Sequence, residues 1–348
     1  MIKKLVVFLG LLVLPVLASA QMDRDLLLTP DGTMFTVERE WSDSSAAVEP
    51  AAMSYLVLTT RRGESIERQI IPATRTSGAH INPALAYDSE SQMLFVLWER
   101  SLSLTHRELL FCTLGRDGNW SEPVTFAGDS NAYRTNLRIA VTRKVDLVPV
   151  DDDPSVVPGI SVHAVWWEQD RYHGEESAQY ALFSVYNGEV TGIETRRLTN
   201  LLTNLEKRDP QPQPDGFDPE VLRHPALFSL PTSDAVDVVF GDEGTGGFHR
   251  LRIRPGKRYS DARVHIPLGK GESNFPSPGF AHANSEARVG AINGDPDRLA
   301  FFVRDGNQTV RYVTYKDAHW SGVQSILLDE QVSAEAAIDA IRRLLNDE

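Results

Sequence analysis

The sequence predicts an all-β chain built as a β-propeller, with five four-stranded blades around one axis and a C-terminal amphipathic helix. Three observations carry this expectation. Apolar strings of strand length recur, each ending in a polar or charged cluster. A second, shorter string precedes most of them. Two hairpin turns share the pattern D-x-x-W-S. Four-stranded units repeating at this scale mark a propeller, in which sheets too small to stand alone stack on their neighbours. A pair of β-sandwiches would explain the alternation, but not this recurring order.

The chain of 348 residues opens on Lys3 and Lys4, an apolar run over residues 5–17 and the small-residue site Ala18-Ser19-Ala20. This is the pattern of a secretory signal peptide, and the run is short of the ~20 apolar residues a spanning helix needs. Residues 1–20 are expected to be cleaved after Ala20, leaving a periplasmic or secreted protein with no membrane insertion. Losing two lysines and no acid leaves 33 basic and 48 acidic residues and takes the formal charge from −13 to −15. An acidic chain lacks the electrostatic footprint of a nucleic-acid binder.

Residues 21–330 are expected to form the propeller. The central strings are Tyr55–Leu58, Met93–Trp98, Val162–Trp167, Val236–Phe240 and Leu299–Val303. They are rich in β-branched and aromatic residues, and several are apolar on both faces, as in a strand covered on two sides. Inner strings Pro83–Asp88, Leu137–Val141, Pro225–Phe228 and Arg288–Ile292 precede the second to fifth. The first unit is irregular, with Thr33–Trp41 as its opening strand and Ser65–Ile71 as its closing one. The count rises to six blades if residues 196–222 and 266–287 hold further strands. Residues 331–348 read as the helix: Ser333 caps it, Ala337, Ile338, Ile341, Leu344 and Leu345 form its apolar face, and Arg342 and Arg343 suit its C-terminus. Cys112, the only cysteine, lies in an apolar string and reads as a small core residue.

The turns Asp117-Gly118-Asn119-Trp120 and Asp317-Ala318-His319-Trp320, with the layout of Asn82–Trp98, resemble the sialidase-like (BNR/Asp-box) group of propellers. The resemblance covers roughly residues 50–328 at the level of repeats. Asp-to-Trp is three residues here and five in that family, so the repeats are degenerate. The resemblance implies a fold. It does not carry over the family's arginine triad, Tyr–Glu pair and Asp acid, because the early Arg-Ile-Pro motif has no match: Gln69 and Ile70 precede Ile71-Pro72.

Propeller topology gathers the loops entering inner strands and leaving second strands at one end of the disc, and loops on a rigid scaffold carry function. Ligand-binding candidates there are His80, Arg100, Arg134, Arg223, His224, Arg288 and Arg304. Arg134, Arg223 and Arg288 enter three successive blades, where they either converge on a ligand carboxylate or pair with Glu99, Glu168 and Asp242. The favoured function is binding of a polar ligand, a glycan or peptide, or of a protein partner. One alternative is a sialidase-like glycoside hydrolase, for which the candidates are Glu99, Glu168, Asp242 and Tyr172 as a conceivable nucleophile. The other is a scaffold in an envelope complex. No pattern asks for a cofactor. The nine histidines lack zinc-site spacing, and Asp151-Asp152-Asp153 reads as a solvated loop.

Overall fold

The computed structural model describes residues 24–29, 33–41, 54–103, 105–130, 132–150, 153–169, 176–186, 189–198, 222–229, 236–242, 248–253, 265–268, 288–291, 299–305, 309–316, 319–320 and 324–327. These residues are all-β, with a 3-10 turn at Pro72–Thr74. They form five antiparallel sheets in chain order. Sheet 1 holds β1 (Arg24–Leu28), β2 (Met34–Trp41), β3 (Ser54–Arg62) and β4 (Ser65–Ile70). Sheet 2 holds β5 (Ala79–Asp88), β6 (Met93–Ser101), β7 (Arg107–Leu114) and β8 (Val124–Ser130). Sheet 3 holds β9 (Tyr133–Val150), β10 (Asp153–Gln169), β11 (Glu176–Tyr186) and β12 (Glu189–Arg197). Sheet 4 holds β13 (Leu222–Ser229), β14 (Val236–Asp242), β15 (Phe248–Ile253) and β16 (His265–Leu268). Sheet 5 holds β17 (Arg288–Ala291), β18 (Leu299–Asp305) and β19 (Thr309–Lys316), with β20 (His319–Trp320) and β21 (Gln324–Leu327) both paired to β19.

The first strands of the sheets neighbour one another in order: β1 beside β5, β5 beside β9, β9 beside β13 and β13 beside β17. Stacking of whole sheets follows from period-2 alternation. On β6, Leu94, Val96 and Trp98 join a core with Val37, Leu56 and Leu58 of sheet 1. The intervening Phe95 and Leu97 join a second core with Val162, Ala164, Trp166 and Phe183 of sheet 3. On β10, Val165 and Trp167 then face Val236, Val238 and Ile253 of sheet 4. The central strands β6 and β10 are thus buried on both faces, which explains their nearly unbroken apolar strings. Phe111 meets Phe183 edge-on across the second core, with ring centroids 4.8 Å apart.

Two expectations need correction in sheet 1. The strand at Met34–Trp41 is its second, because β1 precedes it, and the string Tyr55–Leu58 therefore lies on the third strand. Arg24–Leu28 is short, yet it is tied in: Asp25 Oδ2 accepts the Leu85 N–H of β5 at 2.8 Å. The ends of the intervals suspected of further strands, β12 and β16, complete sheets 3 and 4. Residues 331–348, with the expected helix, lie outside the described residues, as do residues 1–20.

The Asp117–Ser121 turn closes as its sequence suggests. Asp117 Oδ1 accepts the Asn119 N–H at 3.1 Å, and Gly118 takes a φ of +80°. Trp120 packs against the core shared with sheet 1 and donates to Gln69 Oε1 at 3.3 Å. The hairpin therefore ties sheet 2 to sheet 1.

Cys112 is fully buried in that same core, and burial pushes its thiol far above the usual range. It is expected to resist iodoacetamide in the native protein and to react once urea unfolds the chain, followed by mass spectrometry. Native labelling at the unfolded rate would place it at a surface.

Candidate functional site

The end where first strands enter and second strands leave is shaped by a recurring β-bulge. In sheet 2, Ile81 stands opposite Glu99 and Ala84 opposite Leu97, so Asn82 and Pro83 share Trp98. In sheet 3, Asn136 and Leu137 share Trp166, and in sheet 4, His224 and Pro225 share Phe240. Pro83 and Pro225 have no N–H to give the ladder, which favours a break in pairing there. A bulge bends the strand and re-aims the residues beyond it. Asn82 adopts a φ of 52°, a left-handed conformation that Asn tolerates better than most residues.

The register beyond the bulge decides which sequence candidates meet. His80 opposes Arg100, Arg134 opposes Glu168, and Leu222 opposes Asp242 at equivalent positions. Arg223 opposes Gly241, which is the position of Thr135 rather than Arg134.

A polar network spans sheets 2 and 3 at this end. Arg107 Nη1 donates to Glu99 Oε1 at 2.8 Å, and Asn82 Nδ2 donates to Glu99 Oε2 at 3.3 Å. The Asn82 amide also donates to the Arg134 carbonyl at 2.8 Å, crossing between sheets. Arg134 Nε donates to Glu168 Oε2 at 3.0 Å, and its Nη1 to the Arg107 carbonyl at 3.3 Å. Trp166 Nε1 donates to the same Glu168 oxygen at 3.1 Å. Both carboxylate oxygens of Glu99 are thus used, whereas Oε1 of Glu168 accepts nothing from the described residues.

Exposure rises outward through this network. Glu99 is 0% exposed and the Arg134 side chain 4%, followed by Arg107 at 12% and Glu168 at 25%. Tyr133 is 37% exposed, with the Arg107 guanidinium 4.7 Å from its ring centroid. Burial pushes the Glu99 carboxyl above the usual range, opposed by the charges of Arg107 and Arg134.

His80 is buried. Trp98 Nε1 donates to its Nδ1 at 2.9 Å, so the neutral ring carries its proton on Nε2, which lies 3.3 Å from the Thr76 carbonyl. Arg100 forks onto Glu108 through Nε at 3.1 Å and Nη2 at 2.5 Å. Of the sequence candidates, the structure brings Glu99, Arg134 and Glu168 together. Arg223, His224, Asp242, Arg288 and Arg304 hold strand positions, and their side chains lie outside the described residues, as does all of Tyr172. Arg107 and Tyr133 are additions. Arg107 opens a third strand, and the same loop that leaves the second strand delivers it to this end. Tyr133 directly precedes the candidate Arg134.

No protein-family model and no curated protein sequence matches the chain. Among solved structures it is similar to an α-L-arabinofuranosidase from Lactobacillus brevis, with 11% identity over 90% of this chain and 92% of that one and a TM-score of 0.39. It is similar to Trypanosoma rangeli sialidase, with 8% identity over 88% of this chain and 48% of that one and a TM-score of 0.42. It is also similar to the polysaccharide lyase Uly1, with 9% identity over 88% of this chain and 78% of that one and a TM-score of 0.33.

Proposed function

We propose that the protein is an exported five-bladed propeller that binds a glycan on Tyr133, Arg107 and Glu168. The propeller reading is supported by five successive meander sheets whose first strands neighbour one another, with β6 and β10 buried on both faces. Export is supported by the apolar run and the Ala18-Ser19-Ala20 site.

One observation carries the binding site: the exposed Tyr133 ring is held against the Arg107 guanidinium at the end of β9, where the next residue, Arg134, pairs with the partly exposed Glu168. A sugar presents an apolar C–H face and a rim of hydroxyls. The ring suits the face, and charged groups suit the hydroxyls. Ion pairs beneath the surface hold these groups in place before the ligand arrives, which lowers the ordering cost of binding.

Tyr133→Ala should therefore abolish glycan binding, measured by microarray and calorimetry, while the melting temperature stays near that of the parent. Unchanged binding would overturn the site. A glycoside hydrolase needs two carboxyls about 5–9.5 Å apart across an open pocket, and here Glu99 is enclosed and paired. Turnover of any aryl glycoside or sialoside would replace the binding reading with the hydrolase.

A further inference from the structure

We infer that this rim site takes glycan units offering hydroxyl or ammonium donors and rejects units carrying a carboxylate. The inference rests on the glycan-binding reading above and narrows its ligand. Each of three arginines at this end already faces a carboxylate of the chain: Arg100 with Glu108, Arg107 with Glu99, and Arg134 with Glu168. Among the described residues, these fixed charges therefore balance before any ligand enters.

An acidic sugar would have to displace one of these partners. Arg134 is the most enclosed of the three, with Nε on Glu168 and Nη1 on a backbone carbonyl. Arg107 spends Nη1 on Glu99 and its face on Tyr133. Displacing Glu99 would leave its charge unpaired at a position fully enclosed by the protein, which is costly. A chain of net charge −13 also repels an approaching anion.

The unmet capacity is of the opposite kind. Glu168 is partly exposed, and both of its hydrogen bonds fall on Oε2. Among the described residues Oε1 accepts nothing, and a carboxylate oxygen accepts from hydroxyl or ammonium but never from another carboxylate. An ammonium placed there gains a charge-assisted bond.

The test measures calorimetric affinity of the mature protein at low salt for three probes: chitohexaose as the neutral oligomer, chitosan hexamer as the amino one, and oligogalacturonate as the acidic one. Chitosan and chitohexaose should bind, with oligogalacturonate at least about tenfold weaker. Chitosan binding should weaken as salt is raised. Glu168→Gln should lose about tenfold on chitosan and less on chitohexaose. Tighter binding of oligogalacturonate would overturn the inference while leaving the glycan site standing, and a chitosan affinity unchanged in Glu168→Gln would remove Glu168 as its acceptor. Failure of every probe, and of a wider glycan panel, would overturn the glycan-binding reading itself.

Discussion

Arg107→Ala is expected to cost the fold about 3–5 kcal/mol, the range for breaking a buried ion pair from one side. Glu99 is the reason. Its carboxylate is fully enclosed, with one oxygen on Arg107 and the other on Asn82. Removing the guanidinium leaves a charge that water does not reach. Glu99→Gln should cost less, because Arg107 is partly exposed and finds solvent when its partner goes neutral.

The pH dependence of this deficit has a definite sign. Burial already raises the Glu99 proton affinity above that of the unfolded chain, and losing Arg107 raises it further. The folded variant then binds more protons than the unfolded chain, so its stability relative to the parent falls as pH rises through the folded value. The deficit in urea titrations should shrink as the pH is lowered and widen as it is raised. The double variant Arg107→Ala/Glu99→Gln should recover part of the loss. A deficit below about 1 kcal/mol, the scale of a surface pair, would show that water reaches Glu99.

The contrast between Glu99 and Arg107 also marks how far the sequence could be read. The strings Met93–Trp98 and Val162–Trp167 are legible because both faces of their strands are buried, which favours apolar residues at every position but that of the hydrogen-bonded His163. Aromatic residues at or next to the ends of the central strings have a further role that only pairing reveals: Trp98, Trp166 and Phe240 each oppose a two-residue bulge. Arg24–Leu28 is hard to read as the first strand because it is only five residues long, and the Asp25 bond to the Leu85 amide that ties it to sheet 2 lies far along the chain.

The site divides in the same way. Residue type and loop position suffice to nominate Glu99, Arg134 and Glu168 at one end. They do not say who pairs with whom, because pairing depends on register, and a one-residue slip moves a side chain to the other face. The bulge places Arg134 opposite Glu168 and Arg223 one step away from the equivalent position. Of the two expectations for Arg134, Arg223 and Arg288, a shared ligand or pairing with carboxylates of the chain, the described residues show the pairing for Arg134, and the side chains of the other two lie outside them.

Two buried histidines should make the protein acid-sensitive, with His80→Gln and His163→Gln each removing part of the effect. His163 lies enclosed on β10, its Nε2 2.8 Å from Thr142 Oγ1 and its Nδ1 2.8 Å from Tyr180 Oη. Burial lowers its pKa to about 3. His80 is lowered to about 4, first by burial, with the Arg100 charge adding to it against the Thr76 carbonyl. For His80 the geometry gives a second reason: Nδ1 already accepts the Trp98 N–H, so protonation there would set two N–H groups head to head. Both folded values lie below the ordinary 6.5, so the unfolded chain binds more protons and stability is lost as pH falls from about 6.5 toward 4 and 3. Each histidine is worth about 1.4 kcal/mol per pH unit inside that window, or about 2 kcal/mol by pH 5. Glu99 acts in the opposite sense, so the readout is the difference between each variant and the parent. In urea titrations from pH 6.5 to 4.5, each substitution should flatten the stability slope by about one proton. A slope unchanged by either one would mean that the folded ring takes up its proton as readily as the unfolded chain does, and that water reaches its pocket.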